Sequence, residues 1–351
     1  MAATLPQIPL VMVPATLPSQ APTRTDGLRY AKEHSGLARM TGDELLATVP
    51  ELTGLARIEV DPGNEHAVAT PADLVKTARH LQTVLDRDDV TGIVIVHGTN
   101  VLEETGFFLN LTLDSDKPVV ITGAQRPITA LGTDGPANLY DAFRVAGSAS
   151  ARGMGVLVVA NNEIHSARDV TKTSTYRTHT FKSRETGPLG FADGDGIVFY
   201  RAPLRCHTTA SEFRLSADTA LPRVDVIYTH AGANGDLATA AVGLGAKGLV
   251  IAGVGAGSTG DMRETLAGLV RDGIQVVRSA RVGNDGTAGD TAMTALTIRH
   301  VGIHVRDLDE EIAFLALLGA SVTSIDALPR GRVAFVSLDG VWHHSFAVFE
   351  D

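Results

Sequence analysis

The sequence predicts an α/β protein: a doubly wound parallel sheet spread over two domains, followed by a small C-terminal βαβββ module. Three observations carry that expectation. Short runs of β-branched residues alternate with helix-length amphipathic stretches. The runs are apolar at successive positions, as strands read when helices cover both faces of a sheet. From residue 298 onward the pattern changes again, to one helix-like stretch among short alternating strands.

Taken in order, the N-terminal segment Ala2–Pro22 lacks a basic start and is interrupted by prolines, so it does not read as a secretory leader. Thr70 and Pro71 form an N-cap and first-turn pair. They open a helix over Pro71–Leu85, with Leu74, Val75, Ala78, Leu81 and Leu85 at helical spacing. Ile93–Val96, Val119–Thr122 and Val156–Val159 are strands of a first domain, residues 1–195. Residues 196–221, rich in Gly, Asp, Arg and Pro, read as a linker. Val224–Tyr228, Leu249–Ala252 and Val276–Arg278 are strands of a smaller domain, residues 222–297. In the tail, residues 298–351, His300–Val305 alternates and Asp307–Leu318 is helix-like. Ser321–Ile325, Arg332–Leu338 and Trp342–Val348 then complete a βαβββ order.

Composition narrows the function. A chain of 351 residues exceeds what one core holds comfortably. Net charge is −10 with both signs interspersed, so no basic stripe offers a nucleic-acid surface. No apolar run approaches the ~20 residues of a membrane span. The single cysteine, Cys206, excludes an intrachain disulfide and a CxxC metal pair, and reads as a small buried apolar residue. A small-molecule partner in the cytoplasm is expected, with neither nucleic acid nor membrane.

Two stretches carry candidate chemistry. His97-Gly98-Thr99-Asn100 follows a strand and leads into Leu102-Glu103-Glu104. It places a hydroxyl and an amide at the mouth of the sheet, beside a helix N-terminus that favours developing negative charge. The alternative is an ordinary strand-to-helix turn with a capping threonine. Arg168-Asp169-Val170-Thr171-Lys172-Thr173 sets a lysine among small hydroxyl residues. Partial desolvation there would lower its pKa and let it exchange a proton. A solvated loop lysine is the alternative.

Read together, HGTNVLEETGFFL, KPVVITGAQRP, ARDVTKTSTYRTHTFKS with TGPLGF, HAGANGD, GVGAGS and VRSARVGN resemble the bacterial L-asparaginase/glutaminase family. The motifs run in family order from about residue 40 to 290. The resemblance implies an asparaginase-like two-domain fold and a threonine nucleophile in a Gly-Gly-Thr turn. It also implies a Thr-Asp-Lys set that activates water, with ammonia released through an acyl-enzyme. Thr99 and Lys172 match the second set. Ser258 matches a substrate-side serine, and Tyr30, Glu65 and Gly98 are further candidates for substrate contact. No metal or cofactor is implied. Homodimers or homotetramers with shared sites are expected.

This sequence departs from the family at several of those positions. Pro14-Ala15-Thr16-Leu17 stands where Gly-Gly-Thr is expected, leaving Thr16 as the hydroxyl that fits. The family aspartate is Asn100, which cannot ionise. The α-carboxylate-binding serine aligns with His66, and the glutamate supplied by a neighbouring subunit aligns near Thr291. The loop tyrosine has no secure match: Tyr30 lies several residues early and Ser35 falls at its position. The catalytic candidates are therefore Thr99, Asn100, Lys172, Thr16 and His66. Three readings stay open: an amidohydrolase acting on an amide or related acyl compound other than free asparagine, a repurposed isomerase, cyclase or lyase, and a non-catalytic binding protein.

The tail separately resembles one module of the vicinal oxygen chelate (glyoxalase-like) family, through Arg299–Asp309 with Phe314 and Leu318-Gly319. That resemblance implies a possible metal-ligand role for His300, joined by His343 or His344. A subunit-pairing extension is the alternative.

Overall fold

The computed structural model describes residues 4–30, 35–61, 68–282, 296–297, 301–305, 321–328, 331–337 and 346–350. The chain divides into two units, Met1–Leu221 and Pro222–Asp351.

The first unit is built on eight strands. β1 (Gln7–Met12), β2 (Arg57–Val60), β3 (Ile93–Val96), β4 (Val119–Thr122) and β5 (Val156–Ala160) are parallel, in the order β5-β4-β3-β1-β2. β6 (Glu163–Ser166), β9 (Gly190–Asp193) and β10 (Gly196–Phe199) extend the β5 side antiparallel. β10 falls in the stretch read as a linker, so the sheet runs further along the chain than composition suggested. β7 (Thr171–Lys172) and β8 (Phe181–Lys182) form a separate two-stranded ribbon.

Alternation explains the continuous apolar runs. Val94 and Val96 face one core layer, with Leu139 and Phe143 of α4 (Gly135–Ala146). Ile93 and Ile95 face the other, with Leu81 and Leu85 of α2 (Pro71–Leu85) and Leu102 and Leu109 of α3 (Leu102–Thr112). Both faces are covered, so both sets must be apolar. α2 begins at the expected Thr70 cap, whose side chain accepts from the Asp73 backbone N–H while Asp73 bonds back to Thr70. A short helix, α1 (Gly42–Ala47), is capped the same way by Thr41 and Glu44. Between β5 and β6 a two-residue turn places Asn161 and Asn162 at φ 54° and 64°, as a tight hairpin requires.

In the second unit, β11 (Val224–Tyr228), β12 (Gly248–Gly253), β13 (Gln275–Ala280) and β14 (Leu296–Thr297) are parallel and in sequence order. α5 (Asp236–Gly243) and α6 (Arg263–Arg271) accompany them. The buried cluster gathers Ile227, Leu249, Ile251 and Val276 with Ala238 and Leu266 from these helices. β11 was expected to be buried on both faces, but Val224, Val226 and Tyr228 are exposed. Among the described residues it is an edge strand, with β12 its one neighbour. Cys206 is also exposed rather than buried. In the tail, β15 (Val301–Val305), β16 (Ser321–Leu328), β17 (Gly331–Ser337) and β18 (Phe346–Glu350) pair in the order β15-β18-β17-β16. β15 is parallel to β18 and the other pairs are antiparallel. The helix expected over Asp307–Leu318 lies outside the described residues. Among the described residues no helix is long and apolar enough to cross a membrane.

One buried side chain joins the loops at the carboxyl end of the first sheet. Asn138 of α4 donates to the Gly123 carbonyl at 2.9 Å and accepts from the Asn161 backbone N–H at 2.8 Å. Asn138→Ala should cost roughly 1–3 kcal/mol, because it strands buried partners. Urea denaturation checks this, and an unchanged midpoint would contradict it.

Candidate active site

The carboxyl ends of β1, β3 and β4 lie side by side, where a doubly wound sheet gathers its ligand. The backbones there are drawn very close. Val13 N–H donates to the Val96 carbonyl at 2.9 Å, and His97 N–H to the Thr122 carbonyl at 2.8 Å. A Cβ on Gly98 would stand 2.6 Å from the Pro14 carbonyl oxygen. One on Gly123 would stand 2.6 Å from the His97 carbonyl oxygen and 3.4 Å from Thr99 Cγ2. Only glycine allows either approach. The loop carrying Thr99 is thereby pressed against the loop that carries Thr16.

Each threonine has a partner. The Thr16 hydroxyl donates to the Tyr30 phenolic oxygen at 3.1 Å. The Lys172 ammonium donates to Thr99 Oγ1 at 2.8 Å. Both threonines are buried, and Tyr30 and Lys172 are half-buried. Lys172 comes from β7, and its backbone N–H is held by the carboxylate of Glu103 in the first turn of α3. Burial pushes the Lys172 ammonium below the ordinary lysine value, with the Glu103 charge partly opposing it. The solvated-loop alternative therefore does not describe Lys172.

His97, the first residue of the HGTN motif, has a structural task of its own. It is buried, with Nδ1 2.6 Å from the Gly98 carbonyl and Nε2 2.9 Å from Thr105 Oγ1. A carbonyl only accepts, so Nδ1 carries the proton and Nε2 accepts from the threonine hydroxyl. The ring thus ties the Gly98–Thr99 turn to α3. That helix has Val101 at its N-cap, with no side-chain cap, so the capping-threonine alternative is not what forms the turn. A lone polar ring closing the apolar run Ile93–Val96, directly before Gly98, was the signal that could have singled out His97.

The other candidates are placed as follows. Asn100 is exposed at the tip of the Thr99 turn, and Gly98 is half-buried beneath it. Ser258 lies in the second unit, exposed in the turn after β12, with its Oγ accepting from Gly260 N–H at 3.4 Å. Ser35, the alternative to Tyr30, accepts from the Leu37 backbone N–H at 3.1 Å. Glu65, His66, Thr291, His300, His343 and His344 lie outside the described residues. Among the described residues no cluster of three or more His, Cys, Asp or Glu could hold a metal ion.

Burial lowers the His97 pKa from 6.5 to about 4, against the smaller opposing effect of the Gly98 carbonyl. Between those values the unfolded chain binds a proton that the folded chain does not. Stability therefore falls as pH falls from about 6.5 to about 4, by up to roughly 3 kcal/mol from this ring. In His97→Asn the drop in unfolding free energy across that window should be smaller than in the parent by about that amount. Equal drops would show that His97 is not held neutral.

Comparison with known proteins agrees with this geometry. Residues 10–205 match the asparaginase N-terminal domain model, and residues 223–322 match the glutaminase/asparaginase C-terminal domain model. The second match continues past residue 297, so it, and not a glyoxalase-like module, is what is found over the start of the tail. L-asparaginase 2 of Bacillus subtilis is 43% identical over 80% of this chain and 74% of its own length. The Pseudomonas aeruginosa glutaminase-asparaginase is 39% identical over 71% and 69%. The crystal structure of a probable cytoplasmic L-asparaginase from Campylobacter jejuni superposes with a TM-score of 0.76 at 33% identity, covering 82% of this chain and 87% of that one. The fold, the family-wide matches and the paired hydroxyls at the end of the first sheet have one meaning: this chain belongs to the asparaginase/glutaminase family.

Proposed function

We propose that the chain hydrolyses a carboxamide, or a related acyl compound, other than free L-asparagine, through an acyl-threonine intermediate. The observation that carries this reading is the pair of short contacts, Thr16 to Tyr30 and Lys172 to Thr99, on loops of adjacent strands. Thr16 Oγ attacks the amide carbon while its proton passes to the Tyr30 oxygen and the phenolic proton of Tyr30 passes on to the leaving nitrogen. The C–N bond breaks and ammonia leaves. Water held by Thr99 then attacks the ester and gives its proton to neutral Lys172. The acid departs and Thr16 regains its hydroxyl. The lowered Lys172 pKa supports that last role.

Substrate choice is argued from the departures. Asn100 offers no carboxylate where the family resemblance implies one, and the loss of such a group is worth several kcal/mol of transition-state stabilisation. His66 and Thr291 replace groups that would grip the α-carboxylate and α-amine of a free amino acid. Relatives named L-asparaginase and glutaminase-asparaginase support the reaction class rather than the substrate. Asn100 also favours a second reading, proton-transfer chemistry without hydrolysis, as in an isomerase, cyclase or lyase. We also place the chain in the cytoplasm, on the strength of the Campylobacter relative.

We further infer a homodimer or homotetramer, because the family resemblance implies sites completed between subunits. The strand order β15-β18-β17-β16 supports reading the tail as one small sheet module, and we propose that subunits pair through it.

Ammonia release should be measured on L-asparagine, L-glutamine and a panel of blocked or bulkier carboxamides. Little release from L-asparagine is expected, with turnover of another amide that falls about a thousandfold or more in Thr16→Ala. Asparagine turnover at ordinary family rates would overturn the substrate claim, and substrate loss without ammonia would select the second reading. Light scattering at micromolar concentration should give at least twice the 36.8 kDa chain mass. A stable monomer would exclude shared sites.

A further inference from the structure

Among the described residues the ribbon β7–β8 that carries Lys172 pairs with no other strand, so its side-chain contacts matter for its position. Four residues, two flanking β8 and two on β6, supply such contacts. Glu163, on β6 and laddered between Ala160 and Phe191, belongs to the large sheet. Its Oε2 accepts from His179 Nε2 at 2.9 Å. The same oxygen lies 3.3 Å from His165 Nε2, off the ideal hydrogen-bond direction. His165 is only 1% exposed, and its Nδ1 is 3.0 Å from Ser183 Oγ, the residue that follows β8. The two imidazoles, His165 foremost, hold the Glu163 carboxyl below the usual carboxylate range.

The path to the site is short. His179 stands two residues before Phe181, which is buried and is the cross-strand partner of Lys172. Thr180, between them, is fully buried; its carbonyl accepts from Thr173 N–H and its hydroxyl from Ser174 N–H, closing the loop of the ribbon. A tug at His179 is therefore transmitted to Lys172 through two covalently linked residues.

We infer that Glu163 is a positioning residue, which grips the ribbon at His179 and so sets where the Lys172 ammonium meets Thr99. The inference rests on the proposed proton-handling role of Lys172. Ser183 and His165 are too deeply buried to act on a substrate themselves, so the cluster reads as a clip and not as a second catalytic centre.

The test needs no turnover. The chain has six lysines, and ε-13C-lysine labelling gives each a titration curve by NMR, with Lys172 identified by Lys172→Arg. In the parent, Lys172 should titrate below the other lysines. His179→Ala keeps the Glu163 charge and releases only the grip. It should let water reach Lys172 and raise its midpoint by about half to one pH unit, leaving the other five curves and the melting temperature essentially unchanged. Glu163→Ala should do the same, and Glu163→Gln, whose amide oxygen still accepts from His179, should restore most of the parent value. An unmoved Lys172 midpoint in His179→Ala overturns the inference, as does an equal shift of all six lysines. A parent that shows the low midpoint, and variants that shift it, without hydrolysing any amide, would remove the proposed reaction while leaving the clip in place.

Discussion

The contact on which the site depends is the approach of Gly98 to the Pro14 carbonyl, repeated one strand over by Gly123 against the His97 carbonyl. Parallel strands deliver their carboxyl ends to one edge, but ordinary side chains there would hold the following loops apart. Two positions without Cβ atoms let three backbones stack in direct contact. His97 then fixes the Gly98 peptide from below, and Asn138 fixes Gly123 from the side. Thr16 and Thr99 are consequences of this packing: each leaves a turn whose position has already been set. A methyl group at Gly98 would strike backbone rather than a yielding side chain, so no cheap adjustment is open to it.

The parallel core was legible because its physics is repetitive. Ile93–Val96 and Val119–Thr122 are buried at every position, and so short a β-branched run fits a strand covered on both faces better than a buried helix. The Thr70 cap was legible for the same local reason. β1 was not foreseen, because Pro6 and Pro9 break the apolar run and proline surrenders a ladder donor. Yet β1 lies between β2 and β3, one strand in from the edge, with Ile8, Leu10 and Val11 fully buried. β10 was masked by the polar composition around it, and β11 looked double-faced only because sequence does not reveal which strand ends a sheet.

At the site, residue types were legible and pairings were not. Thr99 and Lys172 stood out as motif residues 73 positions apart, but their 2.8 Å contact is a property of the fold. Tyr30 matched no family position by counting, since insertions shift the register of a loop. Its hydroxyl nonetheless meets Thr16. Gly98 is a candidate substrate contact by resemblance, and its evident physical task is close backbone approach. Glu163 and His179 drew no notice because each is an ordinary polar residue until a ribbon brings the two together.

The central claim is that Thr16, in a turn lacking the family's glycines, is the nucleophile. Mass spectrometry on acid-quenched Lys172→Met, in which the proposed role of Lys172 would slow deacylation, tests it most directly with whichever amide the parent consumes. The account predicts an added acyl mass on the peptide containing Thr16. An adduct on the Thr99 peptide, or ammonia release with no adduct on Thr16, would contradict it.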